Sequence, residues 1–356
     1  MQRRLILTAI AGVTFLCMAS PAVAQNYPSP DWERLQHPDQ AGWNVKRLDT
    51  LREFIIDSTH VTGFMIVNHG KVVMEFGDVE ENSYIASCRK SVLSILYGEY
   101  VKSGVINLST TLVDLGIDDI GGLLPVEKEA TIQDLISARS GVFHPASYPG
   151  DFMKYAPARG SVKHGEYWLY SNWDFNLAGY VFEQATHKDI YDEVERVLAV
   201  PLHMQDWKRD LQHKAGDTTV SIYKAYPMWF STRDMARIGL LMLHNGRWGD
   251  TQIIDPQWVR EMLKPRTHFT EINKQVPVLP FAAHGLGYGY LWWLWEDVND
   301  ERFRGGYSAL GNMGQTITVF PAIDVVVVFK TKAAYERATP AKAWYKMLIS
   351  TVKSIE

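Results

Sequence analysis

A chain of 356 residues with 46% hydrophobic and 21% charged residues has the composition of a soluble globular protein, long enough for one large domain or two lobes. Its formal net charge of −4 leaves no basic footprint for nucleic acid. No G-x-x-x-x-G-K-[ST] or G-x-G-x-x-G run occurs, and the eleven histidines show no H-E-x-x-H spacing, so neither a nucleotide nor a metal cofactor is expected.

Residues 1–24 read as a secretion signal. Arg3 and Arg4 form its positive start, Leu5 to Cys17 its apolar stretch, and Ala22-Val23-Ala24 its small-residue cleavage site. The apolar run is shorter than the ~20 residues a membrane span needs. Cleavage before Gln25 would release a chain without membrane attachment into a periplasm or medium. Cys88 is then the one cysteine left, and no internal disulfide can form.

Residues 25–107 are expected to form the first part of an α/β lobe. Val45, Leu48, Leu51, Phe54 and Ile55 have helical spacing between Asn44 and Ser58. Phe64–Val67 and Val72–Phe76 flank Asn68-His69-Gly70-Lys71 as a β-hairpin. A helix-patterned stretch opens at Ser87 and runs to about Tyr100. Residues 108–284 read as a helical region with long loops and few strands. Residues 285–356 complete the lobe, with Gly287–Trp295 as one aromatic strand and Gln315–Phe320 and Val325–Lys330 as two more. Thr339 is expected to cap a last helix from Pro340, with Trp344, Met347, Leu348 and Val352 on its apolar side. Strands at both ends predict an α+β fold, a mostly antiparallel sheet flanked by helices with a helical region inserted. The cleft belongs where sheet and helical region meet.

Three short segments carry chemistry. In Ser87-Cys88-Arg89-Lys90, a serine and a lysine three residues apart share one face of a helical turn. Serine is a weak nucleophile that needs a close base, and the helix N-terminus below it favours an oxyanion. Tyr170-Ser171-Asn172 offers a phenol that can shuttle protons and an amide that can hold Lys90 or a substrate carbonyl. Gly306–Gln315 is glycine-rich, so its backbone can approach another segment closely and present an N–H group.

Order and context of these motifs resemble the serine β-lactamase and penicillin-binding-protein superfamily, in particular its class C-like esterase branch. The handful of further stretches similar to that branch includes Thr131–Gly141, Pro201–Asp206 and Ser231–Arg237, and the likeness spans roughly Thr62 to Lys332. The resemblance implies the β-lactamase/transpeptidase-like fold. It implies Ser87 as acylated nucleophile, Lys90 as proton partner, Tyr170 as base or proton shuttle, and Asn172 as orienting group. It aligns Ala309-Leu310-Gly311 with the third, substrate-binding motif, and makes the N–H groups of Ser87 and Asn312 the oxyanion donors. Family members acting on β-lactams usually carry a lysine, or in many esterases a histidine, where Ala309 stands. An alanine methyl cannot hold a substrate carboxylate, and the pattern leans toward esters or amides, as in enzymes similar to 6-aminohexanoate-dimer hydrolase.

The expected activity is therefore hydrolysis of a small-molecule ester, amide or peptide, with no cofactor, metal, nucleic acid or membrane. A β-lactamase or D,D-peptidase and a non-catalytic cell-wall-fragment binding protein stand as alternatives. Lys90 and Tyr170 are both open as the first base. Arg89 and Arg304 are candidates to replace the missing cation, and Glu166, His144 and His164 are better read as structural. Cys88 reads as a small packing residue, and one or two of the clustered Trp292, Trp293 and Trp295 could wall an acyl pocket.

Overall fold

The chain reverses first at His69-Gly70, where both residues have positive φ, 48° and 72°, as a two-residue I′ hairpin turn requires. Strands β1 (Gly63–Asn68) and β2 (Lys71–Gly77) pair across it, with Asn68 opposite Lys71. The computed structural model describes residues 26–28, 30–148, 150–277, 285–297, 299–334 and 336–356, and the expected signal segment at residues 1–24 lies outside them. The hairpin joins five later strands: β3 (Leu286–Tyr288), β4 (Trp293–Trp295), β5 (Tyr307–Gly311), β6 (Gln315–Phe320) and β7 (Val325–Lys330). The sheet runs β2-β1-β7-β6-β5-β4-β3 and is antiparallel throughout. Segments remote in sequence thus meet directly, Gly63 opposite Lys330 and Asn68 opposite Val325.

Helix α1 (Val45–Ser58) starts where the Asn44 side chain accepts a hydrogen bond from the Arg47 N–H at 3.1 Å. It buries Leu48, Leu51 and Ile55, each contributing roughly 1.5–3 kcal/mol. Helix α2 (Cys88–Lys102) is buried at every residue from Cys88 to Gly98 and packs on β5 and β6. Helix α3 (Asn172–Thr186) lies against α2, and α4 (Thr232–Leu243) crosses β1, β6 and β7. A glycine is needed at Gly239, because a Cβ there would come within 2.4 Å of Val326 Cγ1. Helix α5 (Ala341–Lys353) packs on α1 and turns Trp344, Met347, Leu348 and Val352 inward.

Two local expectations are corrected. Gly287–Trp295 is two strands rather than one: the Gly289 N–H donates to the Trp292 carbonyl at 2.9 Å, and Leu291 takes φ 63°. A Cβ at Gly289 would sit 2.2 Å from the Met262 carbonyl oxygen. The aromatic run masked this glycine, where the backbone doubles back. Thr339 does not cap α5: Pro340 is the N-cap, and the Thr339 hydroxyl bonds that of Thr331 at 2.7 Å.

Lys330 anchors the segment that delivers the chain into α2. Its Nζ donates to the carbonyls of Phe230 (2.6 Å) and Glu81 (2.7 Å) and to Ser83 Oγ (2.9 Å), gripping the short antiparallel pair of Ser83–Tyr84 with Trp229–Phe230. Burial pushes its pKa down to about 8 from the ordinary 10.5. Between these values the unfolded chain binds more protons than the folded one, so the stability contributed here rises with pH. The unfolding free energy of wild type relative to Lys330→Met, measured by urea denaturation, is expected to grow by about 1–3 kcal/mol as pH rises from about 8 toward 10.5. A pH-independent difference would contradict this assignment.

Candidate active site

Ser87 is the N-cap residue of α2, and its hydroxyl makes no capping bond. The preceding Ala86 holds φ at 48°, a left-handed conformation that a β-carbon resists. This tight turn sets Ser87 at the mouth of the helix and leaves its Oγ for Lys90, whose Nζ lies 2.9 Å away. The same Nζ is 2.8 Å from Tyr170 Oη and 2.8 Å from Asn172 Oδ1. Two segments remote in sequence therefore converge on one nitrogen. Asn172 is the first residue of α3, placed by the side chain of Ser171, which caps that helix by accepting from the Asp174 N–H. Ser171 is thereby committed to a structural bond.

The Tyr170 ring is clamped among Phe152, Phe175 and Trp293, with centroids 5.4, 4.8 and 5.7 Å away. Lys90 Nζ sits 4.1 Å from the centre of the Tyr170 ring and 4.5 Å from that of Phe175, and the residue is only 1% exposed. Burial lowers its pKa well below the ordinary 10.5, the Arg89 charge lowers it further, and Asp151 partly opposes both. Burial drives the Tyr170 phenol the other way, to well above 10, although Ser87 and Arg89 restrain the rise. Burial thus works against the charged form of both groups. A neutral amine has two N–H donors and one lone pair. These match the three neighbours if the amine donates to Asn172 Oδ1 and Tyr170 Oη and accepts from the Ser87 hydroxyl.

A cavity of about 370 Å³ opens above Ser87 and Tyr170, and Leu310, Gly311 and Asn312 form part of its wall. Gly311 is required there: a Cβ would fall 2.6 Å from the Ile85 carbonyl oxygen and 3.1 Å from the Ala86 Cβ. The missing side chain lets β5 lie directly on the turn that carries Ser87. The turn after Gly311 is braced by α5's approach segment, where the Thr339 N–H donates to the Met313 carbonyl at 3.0 Å. Ala309 is fully buried and does not line the cavity, so the substrate contact expected for it is corrected. Side chains alternate across a strand, and Leu310 is the member of that pair that reaches the wall.

The family model described as Beta-lactamase matches residues 57–350. The chain belongs to the beta-lactamase family. Solved structures agree on this fold. A proposed 6-aminohexanoate-dimer hydrolase of Bacillus anthracis is 18% identical with TM-score 0.66, covering 92% of this chain and 89% of its own. A mutant simvastatin synthase of Aspergillus terreus is 16% identical with TM-score 0.65, covering 88% and 98%. A family VIII carboxylesterase is 12% identical with TM-score 0.61, covering 87% and 97%. No curated protein is similar enough to count as a match. Members of the beta-lactamase family are serine hydrolases, and this chain is one of them.

Other residues singled out in the sequence fall elsewhere in this beta-lactamase-family fold. Glu166 accepts the Lys163 N–H, His164 pairs with Asp134 at 2.9 Å, and His144 bonds the carbonyls of Pro145 and Ile120. Arg304 pairs with Glu301 at the surface. Cys88 is fully buried, its Sγ 3.5 Å from the Ala309 carbonyl. Trp293 lines the cavity, as do Asp151, Phe152 and Trp344, which no motif marks. Their signal is purely tertiary: a loop before Tyr170 and the first turn of α5 are folded onto the cleft. Gly311→Ala is expected to cut the rate of acylation at Ser87 about 10²-fold, the scale of a lost oxyanion donor, while leaving the protein folded by circular dichroism. Near-wild-type acylation would contradict the close approach of β5.

Proposed function

We propose that this chain is an exported serine hydrolase that cleaves a carboxylic ester or amide through a covalent acyl-serine intermediate. The observation that carries the reading is the single buried Lys90 nitrogen within 2.9 Å of Ser87 Oγ and 2.8 Å of Tyr170 Oη. Lys90, held as a free amine, is the first base. It takes the Ser87 proton as Oγ bonds to the substrate carbonyl carbon, and the carbonyl electron pair moves onto oxygen. The N–H groups of Ser87 and Asn312 receive that oxyanion. As the carbonyl re-forms and the bond to the leaving group breaks, Tyr170 gives its proton to the departing oxygen or nitrogen. The Lys90 ammonium replaces that proton at once, so the phenol relays a proton without standing as a phenolate. Water then attacks the acyl carbon, its proton passing back along the same path and Ser87 Oγ leaving.

The substrate class follows from the charge of the walls. Among the described residues lining the cavity, Asp151 is the one charged side chain, and no lysine or arginine is present. Phe152, Trp293, Leu310 and Trp344 supply an apolar surface. Such a site favours a neutral acyl group and gives the carboxylate of a β-lactam antibiotic no cationic partner among the described lining residues. Export rests on the pattern at Arg3, Arg4 and Ala22–Ala24; among the described residues no helix is long and apolar enough to cross a membrane.

Short-chain p-nitrophenyl esters are expected to turn over with a burst of acyl-enzyme, and Ser87→Ala to abolish both turnover and fluorophosphonate labelling. Persistent labelling of that variant would sink the assignment, and nitrocefin turnover faster than ester turnover would favour a lactamase instead. Lys90→Arg replaces an amine that can accept a proton by a group that cannot, and should lower kcat/KM by about 10²–10⁴. In the wild type kcat/KM should fall with decreasing pH as Lys90 becomes protonated, along an acid limb well below 10.5, whereas a Tyr170 phenolate as first base would place that limb in the alkaline range.

A further inference from the structure

Arg89 stands immediately before Lys90 on α2 and is almost as deeply buried, at 2% exposure. A buried guanidinium is ordinarily matched by a carboxylate. Here the groups against it are neutral. Its Nη2 donates to Asn176 Oδ1 at 3.2 Å, and its Cζ lies 4.2 Å over the Tyr226 ring. Asn176 is four residues beyond Asn172, which Lys90 holds at 2.8 Å. Two neighbouring cation-bearing residues of α2 therefore grip α3 one helical turn apart, about 6 Å along its axis. Arg89 and Lys90 are adjacent in the chain and both buried, so a fixed charge on one is felt strongly by the other through packed side chains rather than water.

We propose that Arg89 is a positioning residue that supplies from beneath the cleft the positive charge that Ala309 does not: its guanidinium holds Lys90 as the free amine and favours negative charge on Ser87 Oγ as the proton leaves. Of the two neighbours, Lys90 is the one that yields its proton. The direction of each shift agrees. After burial, the Arg89 charge is the next largest influence lowering the pKa of Lys90, and it also opposes the burial-driven rise at Tyr84, Tyr170, Tyr191 and Tyr226. The other groups facing Lys90 are Cys88, whose thiol burial keeps protonated, and Asp151, whose carboxylate works against Arg89. Arg89 is outside the cavity wall. It tunes the base without adding a carboxylate-binding group.

The inference rests on Lys90 being the base for Ser87, and the test separates the two. The rate of Ser87 labelling by a fluorophosphonate is measured from pH 5 to 10 in wild type, Arg89→Met, Arg89→Lys and Asn176→Asp. Asn176→Asp keeps the shape and sets a carboxylate against the guanidinium, so it cancels the charge even if Arg89→Met fails to fold. Arg89→Met and Asn176→Asp are expected to move the acid limb upward by about one pH unit, a ~tenfold loss below the limb that is recovered at alkaline pH. Arg89→Lys should restore the wild-type limb. An unmoved limb in Asn176→Asp, or an equal loss at every pH, would overturn the proposal in favour of a packing role. No Ser87 labelling in the wild type would overturn the hydrolase reading, and this inference with it.

Discussion

A primary amine held out of water is the constraint on which this site depends. Lysine in solvent is an ammonium and cannot accept a proton from serine. At 1% exposure, with aromatic rings on two sides and a guanidinium on the same helix, Lys90 meets an environment that penalises its charged form. The burial is tolerable because Nζ has three polar neighbours within hydrogen-bond distance, Ser87, Tyr170 and Asn172. Removing any one would leave a buried polar group unpaired, at a cost of about 1–3 kcal/mol. Catalytic competence and local stability are thus coupled through one nitrogen.

The fold supplies the geometry by bringing strands from both ends of the chain into one sheet. β5 ends at Gly311, where the absence of a side chain lets the strand lie on the Ile85–Ala86 turn. The left-handed Ala86 then directs Ser87 into the helix start. On the opposite side, the loop carrying Phe152 donates its N–H to the Tyr170 carbonyl at 3.1 Å, fixing the phenol from behind. Rigid elements therefore hold every group around Ser87, and little reorganisation is required when charge develops there.

Much of this was legible in the sequence where local chemistry decides the outcome. The hairpin at His69-Gly70, the helix after Asn44 and the strands Gln315–Phe320 and Val325–Lys330 follow from turn residues, helical spacing and β-branched runs. The three motifs around Ser87, Tyr170 and Gly311 could be read because they occur together and in order, none being distinctive alone. What stayed hidden is tertiary in origin. The break at Gly289 comes from the Met262 carbonyl that crosses it, and the Thr339 hydroxyl is diverted from capping by Thr331. Ala309 turns into the core by strand alternation, whereas Asp151 and Trp344 reach the cavity only through folding of their loop and helix. The weight of Arg89 could not be read either, since nothing in a string shows that its surroundings lack a carboxylate.

The central claim concerns one protonation state, and it can be observed without any substrate. Lysine labelled with ¹³Cε and ¹⁵Nζ, in the wild type and in a Lys90→Met control that assigns the signal, reports whether the nitrogen is amine or ammonium by NMR. The account predicts an amine resonance for Lys90 at pH 7 that converts to ammonium only on acidification. An ammonium resonance at pH 7, persisting into the alkaline range like that of a surface lysine, would contradict it.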